Sequence, residues 1–157
     1  MEVLVSILLK YSSFISIVLV IVGWIVIYRN ARKIATRAET KSLLDDLFKV
    51  LDSIENLATT YWLSGRKNRI DSDEFTLLFN AKLLTLHSRL ELLSNRKVDT
   101  SDIDLSSLAE LVTMDCEDVD RKTDNDKRVR VQLILDHINS SSVKLYSKFQ
   151  QANKPVH

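Results

Sequence analysis

Hydrophobic and polar positions follow two regimes along this chain. From Tyr11 to Tyr28 the sequence YSSFISIVLVIVGWIVIY carries no charged residue, whereas beyond Arg29 apolar residues recur three and four apart among abundant charges. At about 1.5 Å per residue the first stretch is about 27 Å long, close to the hydrocarbon thickness of a bilayer, and it predicts a transmembrane helix over 11–28. Residues 2 to 9, EVLVSILL, are also apolar, so the helix can begin earlier and tilt, with Lys10 snorkelling to the outer interface. Lys10, Tyr11, Trp24, Tyr28, Arg29, Arg32 and Lys33 bracket the stretch and have the chemistry of interface anchors. A cleaved signal peptide fits poorly: the apolar run exceeds about 15 residues and no small-x-small site follows it.

Orientation follows from flanking charge. Only Lys10 precedes the span, while Arg29, Arg32, Lys33, Arg37 and Lys41 follow it. Basic residues are retained on the cytoplasmic side. The expected layout is a short extracytoplasmic segment at 1–10, a single pass at 11–28, a cytoplasmic helical domain at 29–153 and a tail at 154–157, in a bacterial inner membrane.

After Arg29 neither glycine nor proline occurs before Gly65, so the membrane helix is expected to continue into the next domain. Leu44, Leu47, Leu51, Ile54, Ala58 and Tyr61 alternate at spacings of three and four, and Leu43, Val50 and Leu57 broaden the stripe beyond a coiled-coil seam. SGRKNRIDSDE marks a break: Gly65 suits a helix C-cap, and Asp71 with Glu74 reads as a capping box. A second helix, about 72–94, carries Phe75, Phe79, Leu83, Leu86, Leu90 and Leu93 on one face. Leu105, Leu108, Leu111 and Val112 mark a shorter helix capped by Asp102 or Asp104. DCEDVDRKTDND reads as a charged loop before a last helix with Val131, Leu135, Ile138, Leu145 and Phe149, where Ser142 interrupts the pattern. The fold class expected is all-α, one N-terminal transmembrane helix continuous with a cytoplasmic antiparallel bundle of about four helices.

Composition narrows the function classes. Lys plus Arg (22) nearly balance Asp plus Glu (21), which offers no net field for nucleic acid, and no nucleic-acid partner is expected. A single cysteine, Cys116, excludes an internal disulfide and a multi-cysteine metal site. With two glycines and one proline in 157 residues, phosphate loops and nucleophile elbows lack their conformational hinge.

Candidate chemistry changes the picture little. An EF-hand begun at Asp118 would place Lys122 at a ligand position and Thr123 where glycine is required. His87, His137 and His157 are scattered without HExxH spacing, so no metal and no cofactor are expected. Serines such as Ser140, Ser141 and Ser142 have no base partner. Tyr61 belongs to the core stripe, and Trp62 can cover one end of the domain. Arg130 and His137, separated by six residues, form a pattern similar to the R-x4-6-H element of HEPN-type RNases, themselves helical bundles. That resemblance implies catalytic roles for the two side chains, and Val131 stands where the family commonly has a polar residue.

Three functional expectations result. The first is a non-enzymatic, membrane-anchored regulatory, assembly or effector subunit that works by contact with another protein or with its own copies as a homo-oligomer. The second is a membrane-perturbing effector of the antiviral abortive-infection kind, a comparison of function only, in which Ser12, Ser16 and Gly23 form a small-residue stripe for helix association within the lipid bilayer. The third is a helical RNase using Arg130 and His137.

Overall fold

A computed structural model describes the backbone of residues 2–154 and the side chains of residues 14–154. Every regular element in that range is helical: α1 (Glu2–Leu63), α2 (Ser72–Asn95), α3 (Leu105–Thr113) and α4 (Asp124–Ala152), with short 3-10 turns at Arg66–Asn68 and Cys116–Arg121. The chain divides into two compact units, Met1–Glu39 and Thr40–His157. Lys10, Tyr11 and Ser12 lie outside the described side chains, and Pro155 and His157 lie outside the described residues.

The first unit is helix alone. From Phe14 to Glu39 every described side chain is exposed, and only Gly23 is half-buried. The apolar part is therefore hydrophobic around its whole circumference, as a helix surrounded by an apolar medium must be.

The second unit contains the core. All six positions of the α1 stripe, Leu44, Leu47, Leu51, Ile54, Ala58 and Tyr61, are buried, and Leu43, Val50 and Leu57 pack against them half-buried. α2 adds Phe75, Phe79, Leu86, Leu90 and Leu93, with Leu83 at the margin. α3 contributes Leu108 and Val112, while Leu105 and Leu111 are half-buried. On α4 the buried set is Val131, Ile134, Ile138, Ser141, Leu145 and Phe149. This differs from the pattern read in the sequence: Ile134 replaces Leu135 on the inner face, and the serine inside the stripe is Ser141, with Ser142 half-buried beside it. Each fully buried large apolar side chain stabilises the fold by about 1.5–3 kcal/mol of transfer free energy.

The helix ends show how the connections work. Gly65 has φ −64°, so it does not supply a left-handed cap. Asp71 accepts from the Asp73 backbone N–H at 3.0 Å and so caps α2 directly, without a reciprocal bond from Glu74. α2 ends in a Schellman motif: Val98 N–H donates to Leu93 O at 3.2 Å and Lys97 N–H to Ser94 O at 2.9 Å, with Lys97 left-handed at φ 65°. Leu93 and Val98, the apolar pair that accompanies this motif, are both buried. Asp104 caps α3 by accepting from Ser107 N–H at 2.9 Å, while Asp102 is committed to Lys148 at 2.9 Å. The expected charged loop is ordered instead. Cys116 and Val119 anchor its 3-10 turn in the core, and α4 starts at Asp124 behind a Thr123–Asp126 capping box.

Candidate functional site

Two surfaces and one buried cluster carry the candidate chemistry. The first surface is the apolar stretch of α1. It is, among the described residues, the one helix long and apolar enough to cross a membrane, with a window of mean hydropathy 2.0. Trp24 and Tyr28 are 72% and 67% exposed near its C-terminal edge. Arg29, Arg32 and Lys33 follow, also exposed. Ser16 and Gly23, seven residues apart, share one face at 100° per residue, and a Cβ built on Gly23 would meet nothing within 4 Å. That space is open for a neighbour to approach.

The buried cluster gathers where α1 ends. Tyr61 stacks on Phe75 with ring centres 3.8 Å apart and donates its hydroxyl to Cys116 O at 2.8 Å. Burial pushes its pKa up to about 12, so the phenol stays protonated as a donor. Trp62 Nε1 donates to Val112 O at 3.2 Å. Arg69, whose side chain is only 5% exposed, donates Nε to Tyr61 O (3.0 Å), Nη2 to Ser64 O (2.6 Å) and Nη1 to Asp120 Oδ1 (2.6 Å). Its guanidinium also lies 5.6 Å from the Tyr61 ring centre. A side chain thus caps the α1 carbonyls, the task that the sequence reading had given to Gly65. Burial likewise raises the Cys116 pKa, which leaves this thiol a small core group with little thiolate character.

Arg130 and His137 are occupied by the ends of α3. Arg130 Nη1 donates to Leu111 O at 3.4 Å, its guanidinium sits 5.6 Å from the Trp62 ring centre, and Asp115 lies 3.9 Å away. His137 Nε2 is 3.1 Å from Asp104 O, so this nitrogen carries the proton and donates. The two contacts share one register, because His137 lies seven positions after Arg130 and Leu111 seven positions after Asp104. α3 and α4 therefore run antiparallel here, and the Arg-to-His spacing matches the span over which α4 grips α3.

The acidic residues near α3 are likewise engaged locally. Asp115 pairs with Lys122 at 2.7 Å, Asp118 with Arg121 at 2.7 Å, and Asp120 with Arg69 and Arg66. Among the described residues no group of three His, Cys, Asp or Glu side chains is arranged to hold a metal ion. A separate clamp that the sequence reading missed joins Lys148 to Asp99 at 2.6 Å and to Asp102 at 2.9 Å. Hydrogen bonds from Lys148 and Ser101 hold the Asp99 carboxyl far below the usual range.

The second surface is the outer face of α2. Leu77 (70% exposed) and Leu84 (71%) stand seven residues apart, with Ala81 and Ser88 exposed on the same side. This side is opposite the buried Phe75, Phe79 and Leu86. Next to it is an open, shallow depression of about 270 Å³ lined by Leu83, Leu84, His87, Leu105, Ser106 and Ala109.

Comparison with known proteins adds no assignment: no protein-family model, no curated protein and no solved structure matches the chain.

Proposed function

We propose that this chain is a single-pass inner-membrane protein, its N-terminus outside and its residues 29–153 forming an antiparallel cytoplasmic helical bundle that works by protein contact as a regulatory, assembly or effector subunit. The observation that carries the reading is the exposed leucine side of α2 on a chain that also bears an uncharged, all-round apolar helix. An exposed apolar stripe is costly to maintain in water, and a partner protein or a second copy of this chain is what it fits. Anchoring favours such contacts further, since confinement to the plane of a membrane raises effective concentration. Arg130 and His137 serve the packing of α3 in this reading, and no turnover is assigned to them.

A photoreactive benzophenone side chain in place of Leu77 or Leu84, introduced in the native host, tests the proposal. A discrete cross-linked protein adduct is expected from both positions and not from exposed Lys144 on α4. Absence of an adduct at Leu77 and Leu84 removes the contact reading. A specific turnover by the purified chain contradicts the non-enzymatic one.

A further inference from the structure

The segment directly after the apolar stretch is strongly cationic. From Arg29 to Ala38 the sequence RNARKIATRA holds four cations and no acid. Arg29, Arg32, Lys33 and Arg37 are all exposed, and among the described residues none of the four side chains is in an ion pair. Arg29, Lys33 and Arg37 are spaced four apart on α1, so each is about 6 Å further along the axis and turned by only about 40°. Arg32 widens the row on one side. The row rises about 12 Å from its first member to its last, enough to pass through the headgroup layer of one leaflet.

We infer that Arg29, Arg32, Lys33 and Arg37 form a ridge that binds the phosphates of anionic lipids, so that this protein gathers a local shell of such lipids on its cytoplasmic side. The inference rests on the proposed membrane anchoring and adds the lipid class to it. Three of the four cations are arginines, whose planar fork matches phosphate oxygens in pairs. Their long stems reach along the helix toward the interface while the charge stays wet. The cations are strung along one row instead of converging on a pocket, which suits several headgroups side by side and not one soluble phosphate. Trp24 and Tyr28, both exposed, occupy the adjoining turns. The aromatic level and the cationic level thus succeed each other in the order that tails and headgroups do.

Trp24 provides the readout, because the other tryptophan, Trp62, is buried in the core. The full chain is reconstituted in phosphatidylcholine vesicles containing equal fractions of either brominated phosphatidylglycerol or brominated phosphatidylcholine, and quenching of Trp24 is compared. Anionic lipid is expected to quench with a preference of about fivefold at low salt, as one basic residue at an anionic surface confers. The preference should fall toward unity at high salt, and reach unity in the Arg29→Gln, Arg32→Gln, Lys33→Gln, Arg37→Gln variant. Equal quenching by the two lipids, or a preference that survives in the fourfold variant, overturns the inference and leaves the anchor standing. Quenching by neither lipid overturns the anchor and the inference together. Loss of the preference on adding RNA at matched phosphate concentration would assign the ridge to nucleic acid instead.

Discussion

Arg69 shows how a single side chain closes a helix that its sequence does not visibly end. α1 stops at Leu63, and the carbonyls of its last turn have no partner within the helix. Arg69, its side chain only 5% exposed, satisfies the carbonyls of Tyr61 and of Ser64 just beyond the helix, and is itself neutralised by the half-exposed Asp120. Arg69→Ala should destabilise the second unit by about 2–3 kcal/mol, the range of a lost charged hydrogen-bond set. Arg69→Lys should recover only part of this, since one ammonium cannot reach both carbonyls and the carboxylate together. Urea unfolding of the purified chain followed by far-ultraviolet circular dichroism measures both, and a silent Arg69→Ala would show the cap to be dispensable. Lys97 makes the opposite case, a residue the motif tolerates at a cost. Its φ of 65° is strained for a side chain with a Cβ, so Lys97→Gly should raise stability by up to about 1 kcal/mol in the same assay. Neither site was legible beforehand. The glycine expected to cap α1 adopts an ordinary φ, and the left-handed position fell on a lysine, which carries no turn signal.

At the scale of elements, legibility tracked how strongly one face is buried. The α1 stripe came through position by position, because its inner face meets the core along its length and its three-four spacing has no competing assignment. α4 was read less well. Ile134, 1% exposed, lies within the buried arc, whereas Leu135, about 100° further round, lies at its half-buried edge. The 3-10 turn at Cys116–Arg121 was hidden by its charge, since only Cys116 and Val119 point inward while the acidic residues around them pair outward. The same scale gives meaning to the Arg130 and His137 spacing. These two donors meet carbonyls at opposite ends of α3. Arg130→Ala and His137→Ala should each cost about 0.5–1.5 kcal/mol and speed amide hydrogen exchange selectively within Leu105–Thr113. Unchanged exchange in α3 would sever the two residues from this role and restore interest in their chemistry.

For the molecule as a whole, the decisive fact is where the core lies. Among the described residues every buried apolar side chain falls between Leu44 and Phe149, inside the second unit, while residues 14–28 are exposed apart from half-buried Gly23. The folding free energy of the helical domain is thus drawn from burial among its own helices and owes nothing to residues 14–28. A fragment comprising residues 40–157 is therefore expected to be soluble and to melt cooperatively with helical circular dichroism, whereas the full chain needs detergent or lipid. Acid should be its weak direction. Asp99, Asp104, Asp115 and Asp126 all have carboxyls held below their ordinary values, chiefly by hydrogen bonds from Lys148, Ser107, Lys122 and Thr123 respectively. A depressed folded-state pKa means that the unfolded chain binds protons first, so this stabilisation is complete above about pH 5 and is lost as pH falls through the lowered values. The melting temperature should stay level from about pH 7 to 5 and then decline steeply toward pH 2. Lys148→Met, which releases Asp99 and Asp102 together, should flatten the lower part of that decline, because Asp99 would then lose the largest of the contacts that lower its pKa and keep only the hydrogen bonds from Ser101. A fragment that aggregates or melts without cooperativity at neutral pH would place part of the fold's support in the first unit after all. An acid limb unchanged by Lys148→Met would show that the clamp with Asp99 contributes nothing to it.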